Sequence, residues 1–525
     1  MMKEEEKFKS RLDLPIVEIL NKLRNGIKYN PNGEGSVLVD LVDKKVIGFH
    51  YGETHLAVAL IIYGYQISNE EYIREGKALL KGFMINSIEY QKEPAYHWDF
   101  NNFAICVLVE FLGKKQNNKQ NTFFGDIASY INELKDFILI QKDSNNATIN
   151  WHPMRIYVNY CKHKWTDDQT YLKIIDDLKK KVDLACFNDG FYEDLLPKGR
   201  SFNFQYHVFT VATLLFLERN GIDIHYNEKS IQQVINMVDP AGDLNYLGRG
   251  INQIFAWGPA VYLLNSVSAV EARNRAWNYF ESKIYKALEN NNLIMNDLPG
   301  EQKNWWWDYH YSSVYFSHLA LWLVLTKISD FDNDEWNNIK INESDSGVAF
   351  RRGDEFFVCL FSGRKHYLAE KGPIIANICS NSGEYVFKGA LGPYCGSQYG
   401  RRYSVSSETI HNYCGLIQEK DFFGYYTQKV VFPEDILVDE QGLEVTITLK
   451  LKKSMGNLYF NISTMSPLFK IEVLANDSVC VLKSVGSTVG AYGLTTLVQS
   501  NKFTAKTVKI KISKMEALNE TSLYQ

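Results

Sequence analysis

Hydrophobic periodicity changes once along this chain, and that change divides it. From about residue 12 to 327 apolar side chains recur at helical spacing, whereas beyond about 347 they alternate. In the first part Val208, Val211, Ala212 and Leu215 form one i, i+3, i+4, i+7 stripe, and Ile251, Ile254, Phe255, Gly258 and Tyr262 form another. In the second part Leu443, Val445, Ile447, Leu449 and Leu451 alternate with Glu444, Thr446, Thr448 and Lys450, and Val508, Ile510 and Ile512 alternate with Lys509 and Lys511. Between them, SDFDNDEWNNIKINESDS near 328–346 follows neither period and reads as a linker. About a dozen helical stretches make about six hairpins with no short sequence repeat, which favours a closed (α/α) toroid over a stacked array. The pattern predicts a toroid over 12–335 followed by an antiparallel β-sandwich over 345–525.

At 525 residues the chain exceeds one ordinary core, in keeping with two domains. A net charge of −4, from 57 basic and 61 acidic residues with no basic run, argues against nucleic acid as a partner. The start MMKEEEKFKS lacks the apolar core of a signal peptide, and Leu56 to Tyr63 is too short to cross a bilayer. No membrane association and a cytoplasmic location are therefore expected. Eight cysteines are scattered without a CxxC or a His/Cys cluster, which predicts buried thiols and neither zinc nor any other cofactor.

Two segments set polar, aromatic loops against the start of an apolar helix: NDGFYEDLLPKGRSFNFQYHVFTVATLLFLE at 188–218 and YLGRGINQIFAWGPAVYLL at 246–264. Tyr96 to Asn102, Asn150-Trp151-His152 and Trp305 to His310 repeat that mixture. Helix entrances around one axis gather side chains for a long polar ligand, and 14% aromatic residues supply rings that can stack on sugars. Candidate substrate-binding residues are His97, Asn102, Trp151, Tyr246, Asn252, Trp305, Trp306, Trp307, Tyr309 and His310. Candidate catalytic residues are Asn150, His152, Tyr206, His207 and Arg249. An Arg at a helix start can fork onto a carboxylate or favour a nearby phenolate. The available acids are Asp99, Asp189, Glu193, Asp194, Asp243 and Asp308. Plain structural roles stand beside these: a turn cap for Asp189, a clamp on loop carbonyls for Arg249, core packing for any single ring.

The stretch DGFYED…FNFQYHVFTVATLLF, followed by GRGINQIFAWGPAVYLL, resembles motifs of toroid-plus-sandwich carbohydrate-active proteins. These are the heparinase II/III-like and the chondroitin AC or hyaluronate-type polysaccharide lyases, and the DUF2264 family, part of which looks like glucuronidases. Asn150-Trp151-His152 is similar to the Asn-Trp-Trp that opens an aromatic patch in the hyaluronate-type lyases. The resemblance implies that Tyr206 transfers the proton, that Arg249 holds the substrate carboxylate or tunes the tyrosine, and that Trp151 stacks on sugar. One departure is the family histidine, which would fall near Asp194-Leu195, where none stands. His207 or His152 would have to replace it.

Three functions follow. A uronate lyase needs a neutralised carboxylate and a Tyr or His to move a proton, which Asn150, His152, Tyr206, His207 and Arg249 supply. A glycoside hydrolase needs two carboxyl groups across the bond, here from Asp189, Glu193 and Asp194. A non-catalytic glycan-binding protein would keep only the rings. Elimination on an acidic polysaccharide or oligosaccharide is the favoured expectation.

Overall fold

The computed structural model describes residues 4–30, 33–42, 44–48, 50–94, 96–116, 126–196, 203–248, 250–293, 295, 311–329, 339–341, 344–361, 375–389, 414–422, 425–490 and 492–515. Six helices form a ring: α3 (Gly52–Gln66), α5 (Trp98–Lys115), α7 (His152–Thr166), α9 (Phe204–Arg219), α11 (Trp257–Ser266) and α13 (Ser312–Ile328). Each packs on the next, and α13 packs back on α3 to close the circle. Around them stand α2 (Asp13–Arg24), α4 (Glu70–Tyr90), α6 (Ile127–Leu139), α8 (Thr170–Ala185), α10 (Glu228–Met237) and α12 (Val270–Asn290), with α1 (Glu4–Arg11) leading into α2. This is the (α/α) toroid that the helical periodicity predicts.

The two rings differ in sequence because they differ in neighbours. In α13 every residue from Ser312 to Thr326 is buried, and in α3 every residue from Gly52 to Gly64. A helix touched on all sides needs no amphipathic stripe. The outer α8, by contrast, buries only Ile175, Leu178, Val182 and Ala185. The α9 stripe read from sequence is accordingly only part of a helix that is buried from Val208 to Leu217 on every side. Ile251 and Ile254 lie ahead of α11, in turns that lead into it. A hairpin of β1 (Ile27–Tyr29) and β2 (Ser36–Leu38), invisible to the periodicity, packs on α4.

Strands β3 (Val348–Arg352), β4 (Phe356–Phe361), β5 (Ile375–Ser380) and β6 (Tyr385–Lys388) form an antiparallel sheet in sequence order. All six residues of β4 are buried, because both faces of this sheet are covered. Phe357, Cys359 and Phe361 join the core of the helical ring, while Phe356, Val358 and Leu360 face the second sheet. That sheet comprises β7 (Gly415–Phe422), β8 (Tyr425–Val431), β9 (Asp435–Gln441), β10 (Glu444–Thr464), β11 (Phe469–Ala475), β12 (Ser478–Cys480), β13 (Leu482–Gly490), β14 (Gly493–Ser500) and β15 (Phe503–Lys514). The two alternating runs found in the sequence pair with each other: Val445 lies opposite Ile512, Ile447 opposite Ile510 and Leu449 opposite Val508. Leu443 precedes the strand and is exposed. No helix among the described residues is long and apolar enough to cross a membrane.

Candidate functional site at the mouth of the ring

The chain enters the ring helices from one end, and rings from their starts meet there. Tyr51, just before α3, stacks on Phe100 of α5 at 4.3 Å and approaches His55 at 4.9 Å, His97 at 5.1 Å and His318 of α13 at 5.8 Å. His97 lies nearly flat on Trp151, with centroids 5.2 Å apart and planes at 29°. His50 tilts over Tyr311 at 4.5 Å, and its Nδ1 stands 3.4 Å from that of His97. Across the ring Tyr206 meets Phe255 edge-on at 6.3 Å, and Phe255 stacks on His318 at 4.4 Å. Phe100, Phe209, Phe255 and His318 are buried, whereas His97, Trp151, Tyr206 and Tyr311 are only half-buried. The first group forms a buried floor and the second a partly exposed rim of rings above it.

Local signals place this rim. A single 3₁₀ turn, Ile149–Trp151, leads into α7 with Pro153 in its first turn, where a missing N–H costs nothing. Nδ1 of His152 donates to the Thr148 carbonyl at 2.9 Å and closes the turn, which packs on α9. Asn203 caps α9 by accepting from the Tyr206 amide at 2.8 Å, so Tyr206 stands in the first turn. Asn101 ties two entrances together: its Nδ2 donates to the carbonyls of His50 (3.2 Å) and His97 (3.0 Å), while Oδ1 accepts from Thr54 at 2.7 Å.

Hydrogen-bond logic fixes two tautomers below the floor. Nε2 of His55 lies 3.3 Å from the Phe100 carbonyl and must donate, so its Nδ1 accepts from Nδ1–H of His318 at 3.4 Å. Nε2 of His318 keeps a lone pair without a partner. Burial pushes His55 down to about 3 and His318 well below the ordinary imidazole range. His152 is lowered to about 4 by burial and then by Arg155. Glu53, in the first turn of α3, is raised to about 8 by burial, against the Leu38 N–H that it accepts. These groups are uncharged at neutral pH. An ion pair lies beside them: Arg155 forks onto Asp99, the shortest contact being 2.7 Å, yet burial still lifts the Asp99 carboxyl above its ordinary value. Asn150, beside Trp151, is 2% exposed and its Oδ1 has no hydrogen-bond partner.

The structure brings His97, Asn150, Trp151 and Tyr206 to the mouth and directs other candidates elsewhere. Tyr246 is fully buried, donates to the Met237 carbonyl at 2.9 Å and packs between Phe204 and Phe357 of β4, which makes it part of the ring–sheet contact instead of the cleft. Asn252 is a buried turn residue with φ +59, and its amide donates to the Met295 carbonyl at 3.0 Å. Asn102 turns about 100° away from Asn101, toward the Lys142 carbonyl. His207 is buried against Phe191 and Tyr192, accepts the Tyr192 amide at Nδ1 (3.2 Å), and is lowered to about 3 by burial. Asp189 takes the turn-cap role, accepting from the Phe191 amide at 3.4 Å, and also accepts from the amide and hydroxyl of the distant Ser346 at 2.9 and 2.7 Å. Glu193 turns back to accept the Asp194 amide at 3.3 Å, and the Asp194 carbonyl accepts from Ile149 at 2.8 Å. Arg249, Trp305, Trp306, Trp307, Asp308, Tyr309 and His310 lie outside the described residues.

Sequence reasoning missed His50, Tyr51, His55, Asn101, Tyr311 and His318. The first three had a signal, since His50-Tyr51-Gly-Glu-Thr-His55 carries the same aromatic–imidazole mixture at a helix start as the segments singled out. His318 lies inside a uniformly apolar helix and had none. Among the described residues no group of three or more His, Cys, Asp or Glu could hold a metal ion.

No protein-family model and no curated protein sequence matches the chain. Among solved structures, it is similar to the heparan sulfate lyase HepC of Pedobacter heparinus over 97% of this chain and 84% of that one, with 10% identity and a TM-score of 0.47. It is also similar to a GH76A α-1,6-mannanase from a Salegentibacter species over 60% of this chain and 98% of that one, at 12% identity and TM-score 0.38. A glycosyl hydrolase family 88 protein from Bacteroides vulgatus covers 61% of this chain with 99% of its own, at 11% identity and TM-score 0.38.

Proposed function

We propose that the chain is a carbohydrate-active enzyme that cleaves uronate-containing polysaccharides or oligosaccharides by β-elimination at the mouth of the ring. One observation carries this reading. The Asn150 amide is buried with an unpartnered oxygen, beside the Trp151–His97 stack and on the turn packed against the helix of Tyr206. Buried amide oxygens are usually met, and one left unmet beside half-buried rings supports a ligand contact at this place.

In this reading a sugar ring lies against Trp151 and His97, with a hydroxyl donating to the unmet Asn150 oxygen and its carboxylate on the Nδ2–H side of that amide. Hydrogen bonding to the carboxylate spreads the charge that develops when the α-proton leaves. Tyr206 takes the C5 proton, the C5–H electrons form the C4–C5 double bond, and the C4–O bond breaks. The proton then passes from Tyr206 to the departing oxygen, which restores the tyrosine. Arg249 is assigned to hold the phenolate or the carboxylate.

Hydrolysis is less well supported because the described acids are engaged. Asp99 is held by Arg155, Asp189 by Ser346 and Asp243 by Lys388. Glu193 accepts the Asp194 amide, and consecutive residues do not flank a glycosidic bond from opposite sides; Asp308 lies outside the described residues. Incubation with acidic polysaccharides and oligosaccharides tests the reading: elimination yields the ultraviolet absorbance of a C4–C5 double bond with each new reducing end. Reducing ends without that absorbance would replace the lyase by a hydrolase.

A further inference from the structure

The ring and the sheet meet over a buried charge cluster that the proposed reaction does not use. Lys388 ends β6 with its ammonium fully enclosed, 2.6 Å from Asp243 and 3.9 Å from Asp239, and it donates to the Tyr385 hydroxyl at 2.7 Å. Three rings surround it, with centroids at 3.9 Å (Tyr385), 4.3 Å (Tyr492) and 4.8 Å (Tyr279). Asp239 also accepts from Asn377 at 2.8 Å and Tyr385 at 3.0 Å. Lys388, Asn377, Tyr385 and Tyr492 come from the β-domain, and Asp239, Asp243 and Tyr279 from the helical ring. A buried ion pair is a poor source of stability compared with apolar packing, but it fixes geometry strictly.

What it fixes is the loop that precedes α11. Asp243 opens this loop and accepts the amides of Leu244 (2.7 Å) and Asn245 (3.0 Å). Tyr492 donates to the Asn245 carbonyl at 2.8 Å, and the Asn245 side-chain Nδ2 donates to the Gly250 carbonyl at 2.8 Å. The Leu247 carbonyl accepts from the amide of Phe204, the first residue of α9, at 3.0 Å. Gly250 has φ +76 and lies so close to the Gln205 amide that a methyl group there would stand 2.5 Å from it. A continuous path of bonds therefore runs from Lys388 to the residues just ahead of Tyr206.

We propose that Lys388 is a positioning residue, through which the β-domain sets the loop 243–253 and with it the place of Tyr206 at the mouth. The consequence for turnover rests on the lyase reading, whereas the consequence for the loop does not.

Hydrogen exchange on the full-length chain tests this with two variants, Lys388→Met and Tyr492→Phe. Exchange is expected to quicken about tenfold at the amides of Phe204, Asn252 and Gln253. The amides of His55 and Asn101, on the opposite wall, should keep their rates. Tyr492→Phe loses one hydroxyl and should shift the same three amides by less. With an acidic oligosaccharide, kcat should fall while KM stays within about twofold, because the Trp151–His97 wall is untouched. Unchanged exchange at the three amides overturns the proposal, as does a uniform rise on both walls, which marks a merely structural role. Loosened amides with an unaltered kcat overturn the link to Tyr206. If Lys388→Met does not fold, Tyr492→Phe decides alone. If the wild-type chain turns over no glycan, the lyase reading fails while the exchange pattern still judges the loop.

Discussion

Two polar clusters lie at the same end of the helical ring, and they differ in charge and in enclosure. Under the sheet, Lys388 meets Asp243 and Asp239, and Asn377 and Tyr385 complete the carboxylates. Burial lifts the Asp239 carboxyl, and the adjacent ammonium opposes that lift. At the mouth, His55, His152 and His318 are held neutral by burial, Asn101 binds backbone carbonyls, and the Asn150 oxygen is left unmet. A cluster whose partners close on one another holds two domains in register. At the mouth the unmet oxygen lies beside half-buried rings, whereas the unmet Asn377 oxygen is enclosed between the two domains.

The sharpest way to break this comparison is to exchange the currencies of activity and stability. Tyr206→Phe removes one oxygen from a half-buried ring, so turnover should fall about 10²- to 10⁴-fold with the urea midpoint unmoved. Near-normal turnover would remove Tyr206 from the chemistry. Asp243→Ala in the other cluster leaves Lys388 without its nearest partner and should cost about 3–5 kcal/mol in urea unfolding. A loss below about 1 kcal/mol would mean that the cluster relaxes or hydrates, and the contrast between the two sites would fail.

The two clusters were also unequally legible. Part of the mouth left a local trace, an imidazole or indole beside an amide at the start of an apolar helix, as in Tyr96 to Asn102 and Asn150 to His152, whereas Tyr311 and His318 left none. The alternation in 443–451 and 508–512 likewise located two strands that turn out to be paired neighbours. The interface cluster left no local trace, since Asp239 meets Asn377 and Asn245 meets Tyr492 only after two domains have folded. Tyr246 was misplaced for that reason: its loop looks like a cleft entrance until β4 covers it. Asn101 and Asn102 could not be told apart because adjacent helical residues exchange roles with a small rotation.

Glu53 joins the buried titratable groups His55, His152 and His318 in being uncharged. Its folded value of about 8 lies above the ordinary 4.5, so the proton is kept in the folded state after the unfolded chain has released it. Stability from this group is complete below 4.5 and is lost as pH rises through about 8. Glu53→Gln keeps an oxygen for the Leu38 amide but cannot ionise. The variant should be about 3 kcal/mol more stable than wild type at pH 7, with the gain shrinking toward acid and largest in mild alkali. Urea midpoints across that range would expose a charged Glu53 if the two curves run parallel.

Trp151→Ala should have the smallest effect and separates binding from chemistry. The indole is half-buried, stacked on His97 and edge-on to Phe100 at 5.3 Å, so its outer face is available to a sugar while little of the core depends on it. Losing a stacking platform removes about 1–1.5 kcal/mol of binding, or about a tenfold rise in KM. Tyr206 and Asn150 are carried by other backbone contacts, the Asn203 cap and the bond from Ile149 to Asp194. The chemical step should therefore proceed at a kcat within about twofold of wild type once substrate is saturating. A fall in kcat matching the rise in KM would show that the ring also orients the C5–H bond toward Tyr206. An unchanged KM would take Trp151 out of the binding wall and leave the mouth cluster no more open to a ligand than the one beneath the sheet.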